Sequence, residues 1–178
     1  MPLIKYGHCD FGENKVQEAQ KKWPKLKELN KDLKLHMLGR LQTNKVKNAV
    51  EIFDYIHSLD SLKLANKISD EIHKKSKKIK IFIQINLGGE KQKNGIEPSD
   101  LEEFYNNCKL LKLDIIGTMC IPPESQDPKH FFKDLLQLNK KINLPEVSMG
   151  MTNDYLDALE YKSTYLRIGT GIFGKRTK

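Results

Sequence analysis

The chain has 178 residues, 38% hydrophobic and 30% charged, with a formal net charge of +8. That length suits one domain with a substantial core, and no run of about 18 apolar residues encodes a membrane-spanning helix. The N-terminus has no basic segment followed by an apolar run, so no secretory leader is read there, and Cys9, Cys108 and Cys120, far apart and without metal-type spacing, fit a reduced, cytoplasmic protein.

Taken in chain order, strand and helix patterns alternate throughout. Strands are predicted at residues 9–12, 33–39, 55–59, 79–87, 113–119, 146–149 and 166–169. Helices are predicted at 14–23 with a continuation past Pro24, and at 44–53, 61–75, 99–111, 129–142 and 153–160. Residues 79–86 are β-branched and nearly all apolar on alternate positions, as a buried strand requires. Leu62, Ala65, Ile68 and Ile72 recur at helical spacing with charged residues between them. Ser99, followed by an acid three residues later, predicts a capping box. Repeated βα units predict a parallel sheet, open or closed into a barrel. Seven strands leave such a (β/α)8 TIM-type barrel one short, and the order fits a barrel lacking its first strand.

The positive charge is carried almost entirely by lysine, since arginine occurs only at Arg40, Arg167 and Arg176. The densest basic run, Lys74 to Lys80, joins a helix end to a strand, where the helix dipole favours cations. No aromatic residue is interleaved with it, which argues for a solvated face over a nucleic-acid surface.

Two strand ends carry candidate chemistry. Tyr165-Leu166-Arg167-Ile168-Gly169-Thr170-Gly171 runs from a short strand into a glycine-rich turn. Such a turn bends tightly and aims backbone N–H groups at one point, as an anionic phosphate needs. Thr170 adds a hydroxyl and Arg167 a permanent planar charge. Upstream, Glu146-Val147-Ser148-Met149-Gly150 repeats the pattern. In (β/α)8 barrels phosphate sites commonly form from the loops after the last two strands, so Ser148, Gly169 and Thr170 are expected to meet at one phosphate. Glu13 is the one carboxylate near a strand end to consider for acid–base work, and its place at a helix start argues for a supporting role instead.

Four ordered motifs extend this reading: Asp10-Phe11-Gly12-Glu13-Asn14-Lys15, Leu35-His36-Met37-Leu38-Gly39-Arg40-Leu41-Gln42, Ser148-Met149-Gly150-Met151 and Arg167-Ile168-Gly169-Thr170-Gly171-Ile172-Phe173-Gly174. Together they closely resemble the pyridoxal-phosphate homeostasis proteins, a family similar in fold to the alanine-racemase N-terminal barrel. The resemblance runs from about Tyr6 to Gly174. It implies that residues 1–178 form a single barrel domain, incomplete at the N-terminus, that binds pyridoxal 5'-phosphate (PLP) without catalysing a reaction, in cytoplasmic cofactor homeostasis. PLP-dependent enzymes are the implied recipients. By the same resemblance Ser148, Gly169 and Thr170 hold the cofactor phosphate and Arg167 faces the pyridine nitrogen. Asn14 lies at the barrel mouth, and His36 and Met119 line it. Asn14 also reads as a helix N-cap, His36 as a satisfied core histidine and Met119 as packing.

Family members carry a Schiff-base lysine on the first barrel strand, and that strand is expected upstream of this chain. Residues 3–7 resemble the end of the helix that follows it, so Lys5 is a poor substitute. A PLP-dependent amino-acid racemase and a barrel enzyme acting on another phosphorylated substrate are the alternatives. The racemases use a second domain, and with four residues after Gly174 that domain is expected to be absent here.

Overall fold

The computed structural model of the chain describes residues 2–89 and 94–174. After a short helix α1 (Pro2–Lys5), seven strands alternate with helices: β1 (Asp10–Glu13), α2 (Val16–Leu29), β2 (Lys34–Met37), α3 (Val46–Ile52), β3 (Tyr55–Leu59), α4 (Leu62–Lys75), β4 (Lys80–Gln84), α5 (Leu101–Leu110), β5 (Asp114–Met119), α6 (Pro128–Lys141), β6 (Glu146–Met151), α7 (Tyr155–Glu160), β7 (Tyr165–Arg167) and α8 (Thr170–Phe173). The strands form one parallel sheet in sequence order.

The sheet is rolled. The Tyr165 ring on β7 lies 5.7 Å from His57 on β3, 5.1 Å from Phe82 on β4 and 5.9 Å from His36 on β2. In a flat sheet β3 and β7 would lie about 19 Å apart, at ~4.8 Å per strand. The result is a nearly closed barrel with helices outside. No pairing joins β1 to β7 among the described residues, so the eighth place of a (β/α)8 barrel falls between them. Asp10 and Gly12 of β1 are exposed there.

Burial divides into two compartments. Leu35, Ile56, Ile81 and Ile83 face outward and are sealed by helix residues such as Ala49, Leu64 and Ile68. Phe82 and Met119, equally buried, lie apart from that cluster and face the lumen.

Local chemistry accounts for most element ends. Ser61 caps α4 by accepting from the Leu64 N–H, and Ser76 closes it in the left-handed region at φ 50°. Of the four apolar positions expected on its inner face, Ala65 and Ile68 are fully buried and Leu62 remains 41% exposed. The capping box at Ser99 does not form. Pro98 starts a 3-10 turn over Pro98–Asp100, and the Ser99 hydroxyl donates to Asp100 Oδ1 at 2.9 Å. Nor does Asn14 cap α2, whose N-cap is Lys15 with no side-chain bond.

Two differences bear on function. β6 runs two residues beyond the expected end, through Gly150 at φ 89°. The glycine-rich turn after β7 winds into the short helix α8. A methyl at Gly150 would stand 2.5 Å from Ala158 Cβ and 2.9 Å from Leu166 Cδ2. Gly150→Ala is therefore expected to lower stability by about 2–4 kcal/mol through backbone strain and overpacking combined. Urea unfolding measures this, and an unchanged midpoint would contradict the tight α7–β6–β7 junction.

Candidate functional site

The alternation of β1 sends Phe11 and Glu13 outward and Asp10 and Gly12 toward the lumen. Glu13 is accordingly engaged with α2: Lys22 Nζ donates to its Oε1 at 2.6 Å and Trp23 Nε1 at 2.7 Å. That is the supporting role its position suggested.

On the lumen side a continuous polar chain crosses the barrel. Asp10 Oδ1 lies 3.0 Å from His36 Nε2, and His36 Nδ1 lies 3.0 Å from His57 Nε2. His57 Nδ1 lies 2.8 Å from Ser148 Oγ, which accepts a bond from Arg167 Nη1 at 2.7 Å. Arg167 Nη2 donates to the Cys120 carbonyl at 2.8 Å. Five strands supply this chain: β1, β2, β3, β6 and β7. Rings pack around it, with His36 stacked on Tyr55 at 4.1 Å and His57 on Phe82 at 4.3 Å. Tyr165, hydrogen-bonded to Tyr55, has its phenol pushed upward, first by burial and then by that bond.

Burial sets the charges here. It lowers the His36 pKa despite Asp10, whose hydrogen bond and charge pull it back up. It lowers His57 well below the ordinary value, and the neighbouring His36 and Arg167 add to the effect. Burial pushes the Cys120 thiol up to about 12, so it stays protonated beside the guanidinium.

A second group lies at the C-terminal rim. Thr152, next after β6, has its hydroxyl 3.1 Å from the Thr170 hydroxyl and accepts from the Gly171 N–H at 3.2 Å. Side-chain space at Gly169 is open. Asn14 is exposed at the turn after β1, and its backbone packs against Gly39 after β2 so closely that a Cβ there would collide with the Asn14 carbonyl.

The expected site residues thus fall into two groups. His36, Ser148 and Arg167 join through His57, with Met119 paired in register beside Ser148. Gly169 and Thr170 gather instead with Thr152. Ser148 is fully buried, with His57 and Arg167 on its hydroxyl. Thr152, two positions past Gly150, is the β6-side residue whose hydroxyl meets Thr170. Thr152, His57, Asp10 and Tyr165 were not singled out from sequence. The alternation Tyr55-Ile56-His57 placed His57 on the lumen face, but nothing local showed what it would meet.

The chain is similar in sequence and fold to known proteins. The family described as "Alanine racemase, N-terminal domain" matches residues 1–177, which makes this chain an alanine-racemase-type barrel. An alanine racemase from Clostridium difficile 630 shares that fold at 14% identity, with a TM-score of 0.76 over 99% of this chain and 47% of that one. PipY of Synechococcus elongatus PCC7942, solved with PLP bound, superposes with a TM-score of 0.89 at 33% identity, covering 97% of this chain and 85% of that one. Pyridoxal phosphate homeostasis proteins from Aquifex aeolicus and Homo sapiens are 40% and 37% identical over 93% and 99% of this chain, which spans 76% and 72% of their lengths. The chain belongs to the pyridoxal phosphate homeostasis protein family.

Two histidines held neutral in the folded state make stability pH-dependent. Their folded pKa values lie below the unfolded value, so the contribution is complete above about pH 6.5 and is lost as pH falls below it, where only the unfolded chain takes up protons. Denaturant unfolding between pH 7.5 and 5.5 should show stability falling by up to ~1.4 kcal/mol per pH unit for each histidine. A flat profile would mean that neither is held neutral.

Proposed function

We propose that this chain binds PLP at the C-terminal mouth of the barrel and serves cytoplasmic cofactor homeostasis without catalysing a reaction of its own. The observation that carries the reading is the placement of an anchored guanidinium, Arg167, below a rim of hydroxyl and amide donors. The donor set fits the group: the rim offers donors suited to an anion, and Arg167 offers N–H groups suited to a ring nitrogen that accepts. PLP, when bound, supplies an aldehyde open to capture by an amine and a pyridine ring.

Thr152, Thr170 and the Gly171 amide hold the phosphate, with Gly169 leaving room for close approach. Arg167 faces the pyridine nitrogen. Because a guanidinium keeps its proton, that nitrogen stays unprotonated and the ring is a poor electron sink, as suits a carrier. Met119 lines the ring site and Asn14 the mouth. Ser148 and His36 act behind Arg167 and not on the phosphate. PLP-dependent enzymes are the recipients this role implies. Among the described residues no helix is long and apolar enough to cross a membrane.

Titration of PLP absorbance tests the reading. Thr152→Ala and Thr170→Ala should each weaken binding by about 1–3 kcal/mol, the worth of a hydrogen bond to a charged group, and Arg167→Ala should weaken ring recognition. Unchanged affinity in both threonine variants would overturn the phosphate assignment. None of the side chains joined to Arg167 through Ser148, His57 and His36 is a lysine, so binding to this chain should be weak and reversible. Borohydride should then fix no PLP at a single site. A stoichiometric adduct at one lysine would place an anchor within residues 5–178.

A further inference from the structure

We propose that His57 is a positioning residue for Arg167, acting through Ser148 in a hydrogen-bond chain whose direction is set by the carboxylate at its far end. The inference rests on the reading of Arg167 as the cofactor-facing residue and adds how that residue is held.

The direction follows from donor and acceptor inventories. A carboxylate only accepts and a guanidinium only donates, while a neutral imidazole has one donor and one acceptor. Asp10, its side chain 57% exposed at the gap beside β1, therefore takes its bond from His36 Nε2–H. His36 Nδ1 is then an acceptor, facing His57 Nε2 at 3.0 Å, which must donate. His57 Nδ1 is left to accept, so the Ser148 hydroxyl gives it its proton over 2.8 Å. That turns the Ser148 lone pairs toward Arg167 Nη1 at 2.7 Å. The Asp10 end alone forces this order, because a hydroxyl has two lone pairs and the Ser148 oxygen, accepting from Arg167, could also accept from His57. Both histidines carry their proton on Nε2, and among the described residues no buried side-chain nitrogen or oxygen lacks a partner.

Any second proton breaks this order. On His36 Nδ1 it would face the His57 N–H. On His57 Nδ1 it would leave the Ser148 hydroxyl proton without an acceptor and set a cation two bonds from Arg167. The groups packed on His57 are neutral rings, while charges of both signs act on His36. Tyr55 of β3, Tyr165 of β7 and Phe82 of β4 surround His57. His36 meets Asp10, with Asp54 and Lys27 acting on it at longer range in opposite directions. Arg167 is thus gripped at two of its N–H groups, by Ser148 and by the Cys120 carbonyl, and the first grip depends on a histidine it never touches.

Nitrogen-15 NMR of the cofactor-free chain at pH 7.5 should show both histidines as Nε2–H tautomers. His57→Phe keeps the ring stacked on Phe82 and deletes both nitrogens. It should speed exchange of the Arg167 guanidinium protons and weaken PLP about tenfold, the low end for losing support of a charged hydrogen bond. His57→Gln restores one acceptor and one donor and should recover affinity to within about threefold on the same scale. Asp10→Asn, at an exposed site, offers His36 a donor as well as an acceptor and should mix the tautomers without unfolding the chain, which keeps the test open if His57→Phe fails to fold. An Nδ1–H tautomer at either histidine, or unchanged Arg167 exchange in His57→Phe, would overturn the proposal. Faster exchange with unchanged PLP affinity would uphold the positioning of Arg167 and refute its cofactor-facing role. Absence of PLP binding in the unaltered chain would refute the proposed function while leaving the tautomer result standing.

Discussion

Placing a guanidinium inside a barrel of apolar and aromatic side chains is tolerable only where its N–H groups find acceptors, since an unpaired buried charge costs several kcal/mol. Here the acceptors come from elements far apart in the chain: the Ser148 hydroxyl and the Cys120 carbonyl. Ser148 in turn needs a partner for its own proton and finds it in His57, 91 residues away. The demand passes from group to group until it reaches a carboxylate that faces solvent. The curvature of the sheet, the spacing of the lumen side chains and the neutrality of two histidines are all conditions for closing this chain.

The same curvature separates two kinds of polar group that look alike in sequence. Ser148 and Thr152 are four residues apart on one strand and its exit. One is drawn into the lumen, where its hydroxyl is fully committed. The other reaches the rim, where hydroxyl and amide donors from the two last βα units meet over open space at Gly169. A strand lengthened through Gly150 decides which residue has which surroundings. The interior groups are tied to one another across the barrel, while Gly169, Thr170 and Gly171 at the rim stay exposed.

Outside the barrel the forces are more ordinary. Helices cover the sheet with aliphatic faces, and lysines crowd their C-terminal ends, where the backbone carbonyls favour them. Ion pairs such as Lys27–Asp54, at 2.6 Å, also hold the entry to β2, because the same Asp54 oxygen accepts the Leu35 N–H. These contacts hold the scaffold on which the lumen residues are aligned.

Most of the architecture was legible locally. Alternating β-branched strands and 3.6-residue helical periods mark their elements whatever lies beside them, so the seven strands, their order and the helices between them follow from the chain alone. The four glycine-bearing motifs carried the family. Misplaced features depended on competing local choices: Pro98 began a turn before Ser99 could cap, and Gly150 allowed β6 to continue where a glycine suggested an end. The partners of the lumen side chains were beyond local reading. His57 shows one inward-facing imidazole in sequence, but a strand pattern states only which face a residue takes, not which residue it meets across a closed barrel. Sequence alone determined the βα order and Arg167 as the residue of interest. Tertiary closure alone decided that the Ser148 hydroxyl bonded to Arg167 also meets His57, because β3 and β6, three places apart in the sheet, face each other only once it has curled.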